Sequence, residues 1–433
     1  MSIDYKHLKK IFINLAKELF PINRSLTGKG NIKTLKLIKK YLPKIRILKF
    51  KSGQKIYDWI IPNEWNINDS YIRHIGSHKK YASFKKNNLH IVSYSTPIKK
   101  TMDKKDLIKK IYTIKSKPKA IPYVTSYYKK DWGFCLSYEE LKKLPKGKYE
   151  VLVDSSLKKG NLVLGENKIK GRLKKEFLFS TNICHPSMAN NELSGILMCT
   201  ALANYIEKYH PNPNFTYNFL FIPETIGSLT YIKKNYKNLK KNVIGGFVIS
   251  CVGDNKVFTH IESPYGNNFS DKILNVAFKN IKNKKKFSFL KRGSDERQYC
   301  SPKINLPVCG FSRTKYHEFK EYHTSEDNLK ILSFKGMVKT FKLFTKIVDT
   351  IEFGLFPVIK TSGEPFLTKY GMYRTLAKDS IKRPTKNILN FLAYSNGKNS
   401  IFDIALKCNL DLNEVSTLTK ILKKNKLINF KKM

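Results

Sequence analysis

The chain has 433 residues, of which 41% are apolar and 12% aromatic, and it carries a formal net charge of +49. That length predicts about three domains at roughly 150 residues each, and the apolar content excludes a disordered chain. Only nine of the 82 basic residues are arginines, and lysines occur in every segment, which favours a solvated lysine surface with weak, nonspecific attraction to polyanions over a nucleic-acid reader.

The first 20 residues have the apolar spacing of an amphipathic helix and lack the apolar core and cleavage site of a signal peptide. No stretch approaches 18 consecutive apolar residues, so we expect no membrane span. The seven cysteines form no CxxC pair and mostly lie in apolar runs, which indicates buried thiols in a reducing compartment. We therefore expect a cytoplasmic protein, and the sequence gives no indication of its oligomeric state.

The next segments change from helical to β-type and then alternate. After a helix at 32–41 and a strand at 45–50, the stretch from 53 to 171 consists of short β-type runs and contains all three tryptophans, which predicts an inserted β-rich domain. From residue 176 onwards strands and helices alternate regularly, which predicts an α/β fold with a mostly parallel sheet and helices on both faces. The predicted strands are 176–180, 215–222, 246–252 and 305–312, and the predicted helices are 193–205, 229–240, 271–282 and 334–351.

The C-terminal segment 371–433 forms a small helical module in this prediction. Its sequence indicates three helices with polar turns, followed by a short wing, and this order resembles winged helix-turn-helix domains. The segment is scarcely more basic than the rest of the chain. A DNA-reading role for the helix at 413–424 and a protein-docking role both stay open.

Side chains with chemical potential follow the predicted strands, at the edge where open α/β sheets bind ligands. His185 follows the first strand, and the later strand ends carry the motifs PETIGS at 223–228, SCVGD at 250–254, GSDERQ at 293–298 and EYHTSEDN at 321–328. Imidazoles and carboxylates at one edge are ligands that zinc takes, and an unligated carboxylate can accept a proton from bound water. Together these motifs indicate metal-dependent hydrolysis.

These motifs, with HPSMANNELSG at 185–195 and RSLTGKGN at 24–31, resemble a bacterial family described as aminopeptidase-like, itself similar to co-catalytic zinc aminopeptidases. The resemblance implies a discontinuous zinc-aminopeptidase-like domain at 1–52 and 172–360, an inserted β-rich domain at 53–171 and a winged-helix-like domain at 371–433. Members of that family are often found among genes for surface polysaccharide biosynthesis. The implied substrate is a small peptide or another amide-containing compound, with no membrane partner and only nonspecific nucleic-acid contact.

The resemblance also assigns roles position by position. His185 and His323 match the first and last metal-binding histidines, and Glu224 matches the general base. The chain departs from the family at several ligand positions. Asn191 stands in place of the Asp that bridges two metals and Glu192 in place of an Asn, while Thr225 and Ser250 replace a metal-binding Glu and Asp.

Because those carboxylates are missing, the sequence predicts one zinc ion rather than two. The third ligand would be Glu192, shifted by one residue, or Asp254 from the adjacent strand end. Arg297 and Arg313 are candidates for binding an acidic group of the substrate, although Arg297 can equally pair with its acidic neighbours. Two functions stay open: a zinc-dependent peptidase or amidase, and a catalytically inactive ligand-binding or regulatory protein on the same fold.

Overall fold

A computed structural model describes residues 4–372 and 384–431 of the chain. Its largest feature is an eight-stranded sheet whose central strands are parallel. The strand Asn161–Ile169 pairs antiparallel on both of its sides, and the strand Phe258–Ile261 is antiparallel to Val308–Ser312. In spatial order the strands are Arg46–Lys51, Asn161–Ile169, Thr216–Ile222, Glu176–Asn182, Val243–Ile249, Val308–Ser312, Phe258–Ile261 and Lys284–Phe287.

Both faces of this sheet are covered. In the strand Glu176–Asn182 all seven residues are buried, with Phe177 and Phe179 in one apolar core and Leu178 in another. Full burial of a strand is typical of a parallel sheet between two layers of helices. The predicted α/β class is confirmed: helices Ser194–Tyr209 and Phe334–Glu352 pack into the first core and helix Ile226–Asn242 into the second.

Close packing of one helix sets the geometry of the sheet edge. Gly195 lies at the start of helix Ser194–Tyr209, and a Cβ atom there would lie 2.2 Å from Thr181 Oγ1 and 2.5 Å from the carbonyl oxygen of Ile249. Any larger residue would push the helix away from the sheet, since real Cβ atoms do not approach other atoms so closely. Gly195 therefore holds the segment that follows His185 against the ends of two strands.

The β-rich block contains a separate four-stranded antiparallel sheet, in the order Lys80–Tyr81, Glu64–His74, Lys148–Lys158 and Ile98–Asp103. The strand Asn161–Ile169, which falls within the predicted range 53–171, belongs to the large sheet instead. The range of the inserted domain stays a prediction. Trp65 is 2% exposed and lies parallel to the ring of Tyr94 at 5.7 Å, so it is a core residue of this block.

The C-terminal module contains three helices, Pro384–Ala393, Ile401–Lys407 and Leu412–Lys424, and the strand Ile428–Phe430. That strand pairs antiparallel with Pro357–Ile359, which the predicted boundaries assign to the preceding domain. Residues 373–383 and 432–433 of the predicted module, and residues 1–3 of the predicted first helix, lie outside the described residues.

The structure contains further, mostly short helical segments. In the part of the chain that the structure describes, no helix is long and apolar enough to cross a membrane. The additional segments include Tyr5–Lys9, Lys10–Leu15, Ala16–Leu19, Lys29–Lys39, Lys104–Ile108, Tyr138–Lys142, Ala189–Leu193, Phe269–Ala277 and Glu296–Tyr299.

Candidate functional site

A cavity of about 420 Å³ lies at the carboxyl ends of the central strands, which is where open α/β sheets bind their ligands. The β-rich block contributes aromatic side chains to its lining, so the cavity combines polar and aromatic groups. Its lining consists of Leu26, Trp59, Tyr123, Thr125, Tyr127, Tyr128, Cys184, His185, Glu224, Thr225, Ile226, Arg297 and His323.

His185 follows the strand Glu176–Asn182 and is held by Glu192, which lies in the first turn of the helical segment Ala189–Leu193. The Nδ1 atom of His185 lies 2.7 Å from Glu192 Oε2, and its backbone N–H donates to Glu192 Oε1 at 2.8 Å. A carboxylate only accepts, so Nδ1 carries the proton. This contact leaves Nε2 as the ring atom available to a ligand.

Arg24 holds this pair from behind. Its Nε atom donates to Glu192 Oε1 at 3.2 Å and to the carbonyl oxygen of His185 at 3.1 Å, and both side chains of the Arg24–Glu192 pair are fully buried. Burial lowers the pKa of Arg24 while Glu192 opposes that shift. Because Glu192 is occupied by a guanidinium and an imidazole, it orients His185 and does not line the cavity.

His323 lies opposite His185, with ring centroids 5.3 Å apart. It has a left-handed backbone at φ 53°, and its carbonyl oxygen accepts the N–H of Tyr123 at 2.9 Å. The Nε2 atom is buried without a hydrogen-bond partner among the described residues. Burial, reinforced by His185, lowers the pKa of His323 to about 2, so this imidazole is neutral and keeps a free lone pair.

The protonation of His185 is set by opposing effects. Burial lowers the pKa of His185, but Cys184 and Glu192 outweigh it, and the pKa lies well above its ordinary value. A cation at Nε2 therefore has to displace a proton, which makes its binding weaken as the pH falls.

Glu224 stands at the end of the strand Thr216–Ile222 and faces both histidine and arginine. Its Oε2 atom lies 3.9 Å from His185 Nε2, and its Oε1 atom lies 3.8 Å from Arg297 Nη2. Burial is the main cause that raises the pKa of Glu224. A carboxylate with a raised pKa in a cavity is suited to accept and return a proton.

The residue after Glu224 is strained. Thr225 is β-branched, yet it has φ 65° and ψ −73°, a conformation that costs on the order of 1–3 kcal/mol. Three hydrogen bonds hold it: its N–H donates to Asp295 Oδ1 at 2.8 Å, its carbonyl oxygen accepts from Ser228 Oγ at 3.0 Å, and its Oγ1 accepts from Arg297 Nη2 at 2.6 Å. Burial, with the nearby charge of Glu224, raises the pKa of Asp295 to about 7.

Three other predicted site residues lie outside the cavity lining. Asn191 is buried with its Oδ1 atom 3.5 Å from Cys251 Sγ, and its Nδ2 atom has no hydrogen-bond partner among the described residues. Asp254 accepts the backbone N–H groups of Lys256 and Thr314. The guanidinium of Arg313 stacks on a phenylalanine ring at 3.8 Å, away from the cavity.

The resemblance places neutral side chains at positions where a two-metal centre has anionic ligands. With Asn191, Thr225 and Ser250 at these positions, a second cation would lack compensating charge. One ion is compatible with the donors present, because His323 Nε2 is unpartnered and His185 Nε2 faces the same space. The metal-type set of Cys184, His185 and Glu192 is less suitable, since the buried Arg24 guanidinium adjoins it and repels a cation.

A second set with metal-type side chains, His260, Asp271 and Cys309, is explained by the fold. His260 Nε2 bonds Asp271 Oδ1 at 2.8 Å, and Asp271 caps the helix Phe269–Ala277. All three are buried, and none of them lines the cavity.

Several residues of the site escaped the sequence reasoning. Arg24 lies in a glycine-rich turn, and its only sequence signal was the resemblance of this turn to the family motif. The residue spacing did not indicate its contact with Glu192. Tyr123, Trp59 and Tyr127 belong to the β-rich block, where aromatic residues are usual core constituents. Tyr123 packs against both imidazoles, with centroids 5.3 Å from His185 and 5.2 Å from His323.

Comparison with known proteins was made on both sequence and fold. Residues 13–354 match a family described as a domain of unknown function, DUF4910, and residues 356–430 match a winged helix-turn-helix family. A Clostridium acetobutylicum protein, provisionally named a polysaccharide biosynthesis protein with an aminopeptidase-like domain, is 41% identical over 406 residues, covering 93% of this chain and 92% of that protein.

Solved structures agree with this result. A crystal structure from Clostridium acetobutylicum, provisionally described as a peptidase, has a TM-score of 0.88 and 37% identity, covering 98% of each chain. A zinc aminopeptidase from Bacillus subtilis has a TM-score of 0.57 at 14% identity, covering 79% of this chain and 94% of that one. The second likeness shows a shared fold alone.

Proposed function

We propose that this chain, which belongs to the DUF4910 family, is an aminopeptidase-like hydrolase that cleaves a peptide or amide bond in a small substrate with the help of a single zinc ion. One observation carries the proposal: the rings of His185 and His323 and the Glu224 carboxylate, whose pKa is raised by burial, meet in the same cavity at the sheet edge. In this proposal His185 and His323 hold the ion and Glu224 is the catalytic base.

The remaining ligand positions would be filled by water and substrate, since Glu192, Asp254 and Asn191 are engaged elsewhere. Zinc with this few protein ligands would be held more weakly than in a site with three or four. When bound, the ion polarises a carbonyl group and lowers the pKa of water towards ~7.

The chain's own groups supply the proton transfer. Glu224 accepts a proton from water with one carboxylate oxygen and returns it to the leaving amine, and its burial raises its pKa towards the range in which both steps are efficient. Glu192 keeps the proton of His185 on Nδ1, which fixes the ring orientation. Tyr123 covers both imidazoles and limits the water that reaches them.

The substrate belongs, in this proposal, to surface polysaccharide biosynthesis. The support is the name of the Clostridium acetobutylicum relative together with its 41% identity over 93% of this chain. An amide-containing sugar precursor or a short peptide fits a cavity of about 420 Å³, which lies within the usual range for small-molecule sites of roughly 300–1,000 Å³.

A second candidate is a binding protein without catalysis. It is favoured by the neutral side chains at three ligand positions, Asn191, Thr225 and Ser250, which remove the anionic charge that a two-metal centre needs. In that case the cavity binds a ligand without cleaving it.

For the C-terminal module we propose protein docking rather than DNA reading. In a helix-turn-helix the N-terminal residues of the recognition helix normally contact bases, and here that helix is Leu412–Lys424. Its first turn faces helix Phe334–Glu352 across a cleft of about 470 Å³, and its capping residue Asp411 accepts a hydrogen bond from the side chain of Asn280. Lys272 and Asp403 form a further ion pair at 2.7 Å across the contact.

The test is metal analysis together with hydrolysis of N-terminally free peptides and acylated sugars. We expect about one zinc per chain in the wild type, loss of zinc in His323→Ala, and retention of zinc without hydrolysis in Glu224→Gln. Glu224→Gln is nearly isosteric, so it separates proton transfer from metal binding. Hydrolysis by Glu224→Gln at the wild-type rate would exclude Glu224 as the base. A wild-type protein that contains no zinc and shows no hydrolysis would favour the binding protein without catalysis.

A further inference from the structure

Arg297 is held at the cavity wall as a fixed positive charge. Its Nη2 atom donates to Thr225 Oγ1 at 2.6 Å, and the same atom lies 3.8 Å from Glu224 Oε1. The side chain is 40% exposed and lines the cavity, so part of the guanidinium is open to a ligand. At 3.8 Å the contact with Glu224 is longer than a hydrogen bond, which leaves most of the five N–H donors without a carboxylate.

The hydrogen bond between Arg297 and Thr225 lies at a position that bears on metal binding. Thr225 stands where the similar aminopeptidase-like family has a metal-binding Glu, and its hydroxyl cannot compensate a divalent cation. The group that Thr225 does bind is the guanidinium of Arg297. A permanent positive charge from the protein therefore lies beside the residue where a second metal ion would need a ligand.

We infer that Arg297 takes the place of the second cation and selects ligands with a carboxylate group attached to an apolar or aromatic body. This inference rests on the site of the proposed function and names its substrate class. A guanidinium and a carboxylate are both planar and can form two parallel hydrogen bonds, which gives direction as well as charge.

The charge balance of the cavity favours a carboxylate over a phosphate. Among the described lining residues Arg297 is the permanent cation and Glu224 the carboxylate. A group with one negative charge pairs with Arg297 at modest repulsion from Glu224. A phosphate carries close to two charges at neutral pH, and its second charge has no further lysine or arginine among the described lining residues.

The aromatic side chains of the cavity lining suit the rest of such a ligand. Trp59 and Tyr128 meet edge to face with centroids 5.7 Å apart, and Tyr128 is fixed by a hydrogen bond from its hydroxyl to the carbonyl oxygen of Ile60 at 3.1 Å. Tyr123 and Tyr127 share a hydrogen bond of 2.8 Å between their hydroxyls. Rings held in this way present apolar faces at little entropic cost, which favours a ring or a branched apolar group.

The experiment is calorimetric titration of the full chain in a chelator with N-acetylphenylalanine, N-acetylphenylalaninamide and phenyl phosphate. The first two differ only in the carboxylate. We expect the acid to bind about 10- to 100-fold more tightly than the amide, as charge-assisted hydrogen bonds predict, and more tightly than phenyl phosphate. Arg297→Gln removes this preference, and Arg297→Lys keeps part of it.

The matched control is Arg292→Gln. Arg292 is exposed, stacks on Phe289 at 4.6 Å and does not line the cavity, so its loss leaves the preference for the acid unchanged. Equal affinity for acid and amide in the wild type, no binding of either, tighter binding of phenyl phosphate, or a preference that survives in Arg297→Gln each overturns the inference. Chelated protein performs no zinc-dependent turnover, so the result is independent of whether the hydrolase proposal holds.

Discussion

The buried Arg24–Glu192 pair gives the sharpest test of how this site is built. Arg24→Met removes the guanidinium and leaves the Glu192 carboxylate buried with only the two His185 donors. Breaking a buried ion pair from one side costs about 3–5 kcal/mol, because the remaining charge has lost its partner. The double variant Arg24→Met/Glu192→Gln carries neither charge, so we expect it to recover part of that loss.

The magnitude can be expressed as a melting temperature. About 340 residues lie in the matched family segment, and at roughly 2.1 cal/mol/K per residue their unfolding entropy is about 0.7 kcal/mol/K. A loss of about 3–5 kcal/mol then lowers Tm by roughly 4–7 °C in calorimetry of the chelated protein. The Glu192→Gln variant, in which His185 loses its orienting carboxylate, should bind zinc about 10- to 100-fold more weakly.

Two controls decide the outcome. Lys40→Met removes a surface pair with Glu18 at 3.5 Å in which both side chains are largely exposed, and such pairs contribute little, so its Tm should stay close to that of the wild type. If Arg24→Met and Glu192→Gln lower Tm additively in the double variant, the two groups are not coupled and the account of His185 positioning is wrong.

Three further predictions follow from single features. Asp295 has a pKa of about 7 in the fold against an ordinary 3.8, so the folded state binds its proton more tightly and loses stability as the pH rises from about 4 to 7. Asp295→Asn keeps an acceptor for Thr225 and Ser228 and should flatten this decline of Tm with pH. An unchanged slope of Tm against pH would contradict the prediction. Asn191→Asp buries a new charge beside Cys251 and should lower Tm in chelator while zinc raises Tm more than in the wild type; an equal response to zinc would show that position 191 does not reach the ion. Binding to DNA should be weak, lost on raising salt to physiological strength and without sequence preference, and fluorescence anisotropy with two unrelated duplexes measures this; a footprint on a defined sequence would assign a reading role to the C-terminal module.

Much of the fold could be predicted because it depends on local pattern. Strand and helix alternation after 176 gave the parallel sheet, and the likeness of strand-end motifs to a known family placed His185, Glu224 and His323 on one edge, where the structure brings them together. Strands Phe258–Ile261 and Lys284–Phe287 were missed. The second of these carries three lysines in four residues, which removes the apolar signal on which strand prediction depends.

The directions of side chains could not be predicted in the same way. Glu192 was a candidate metal ligand by its position, yet it points away from the cavity towards Arg24, 168 residues away in sequence. Contacts at that separation depend on how the N-terminal segment packs against the sheet, and no period in the sequence encodes them. Asp254 is buried and accepts backbone N–H groups in its own loop and just after the strand Val308–Ser312, a role that its position in the sequence did not indicate.

The two arginines bear on whether this site has decayed or has been rebuilt. A site that simply lost its metal would be expected to keep neutral residues at the former ligand positions without new partners for them. Here two of the four departures have a charged partner. Glu192, at a position where the similar family has Asn, forms a fully buried pair with Arg24, and Thr225, at the place of a metal-binding Glu, accepts a 2.6 Å hydrogen bond from Arg297. Buried charge pairs are costly unless well formed, so chance is a poor explanation for the Arg24–Glu192 pair. The arrangement supports the proposal of a site that holds one metal ion and uses one guanidinium.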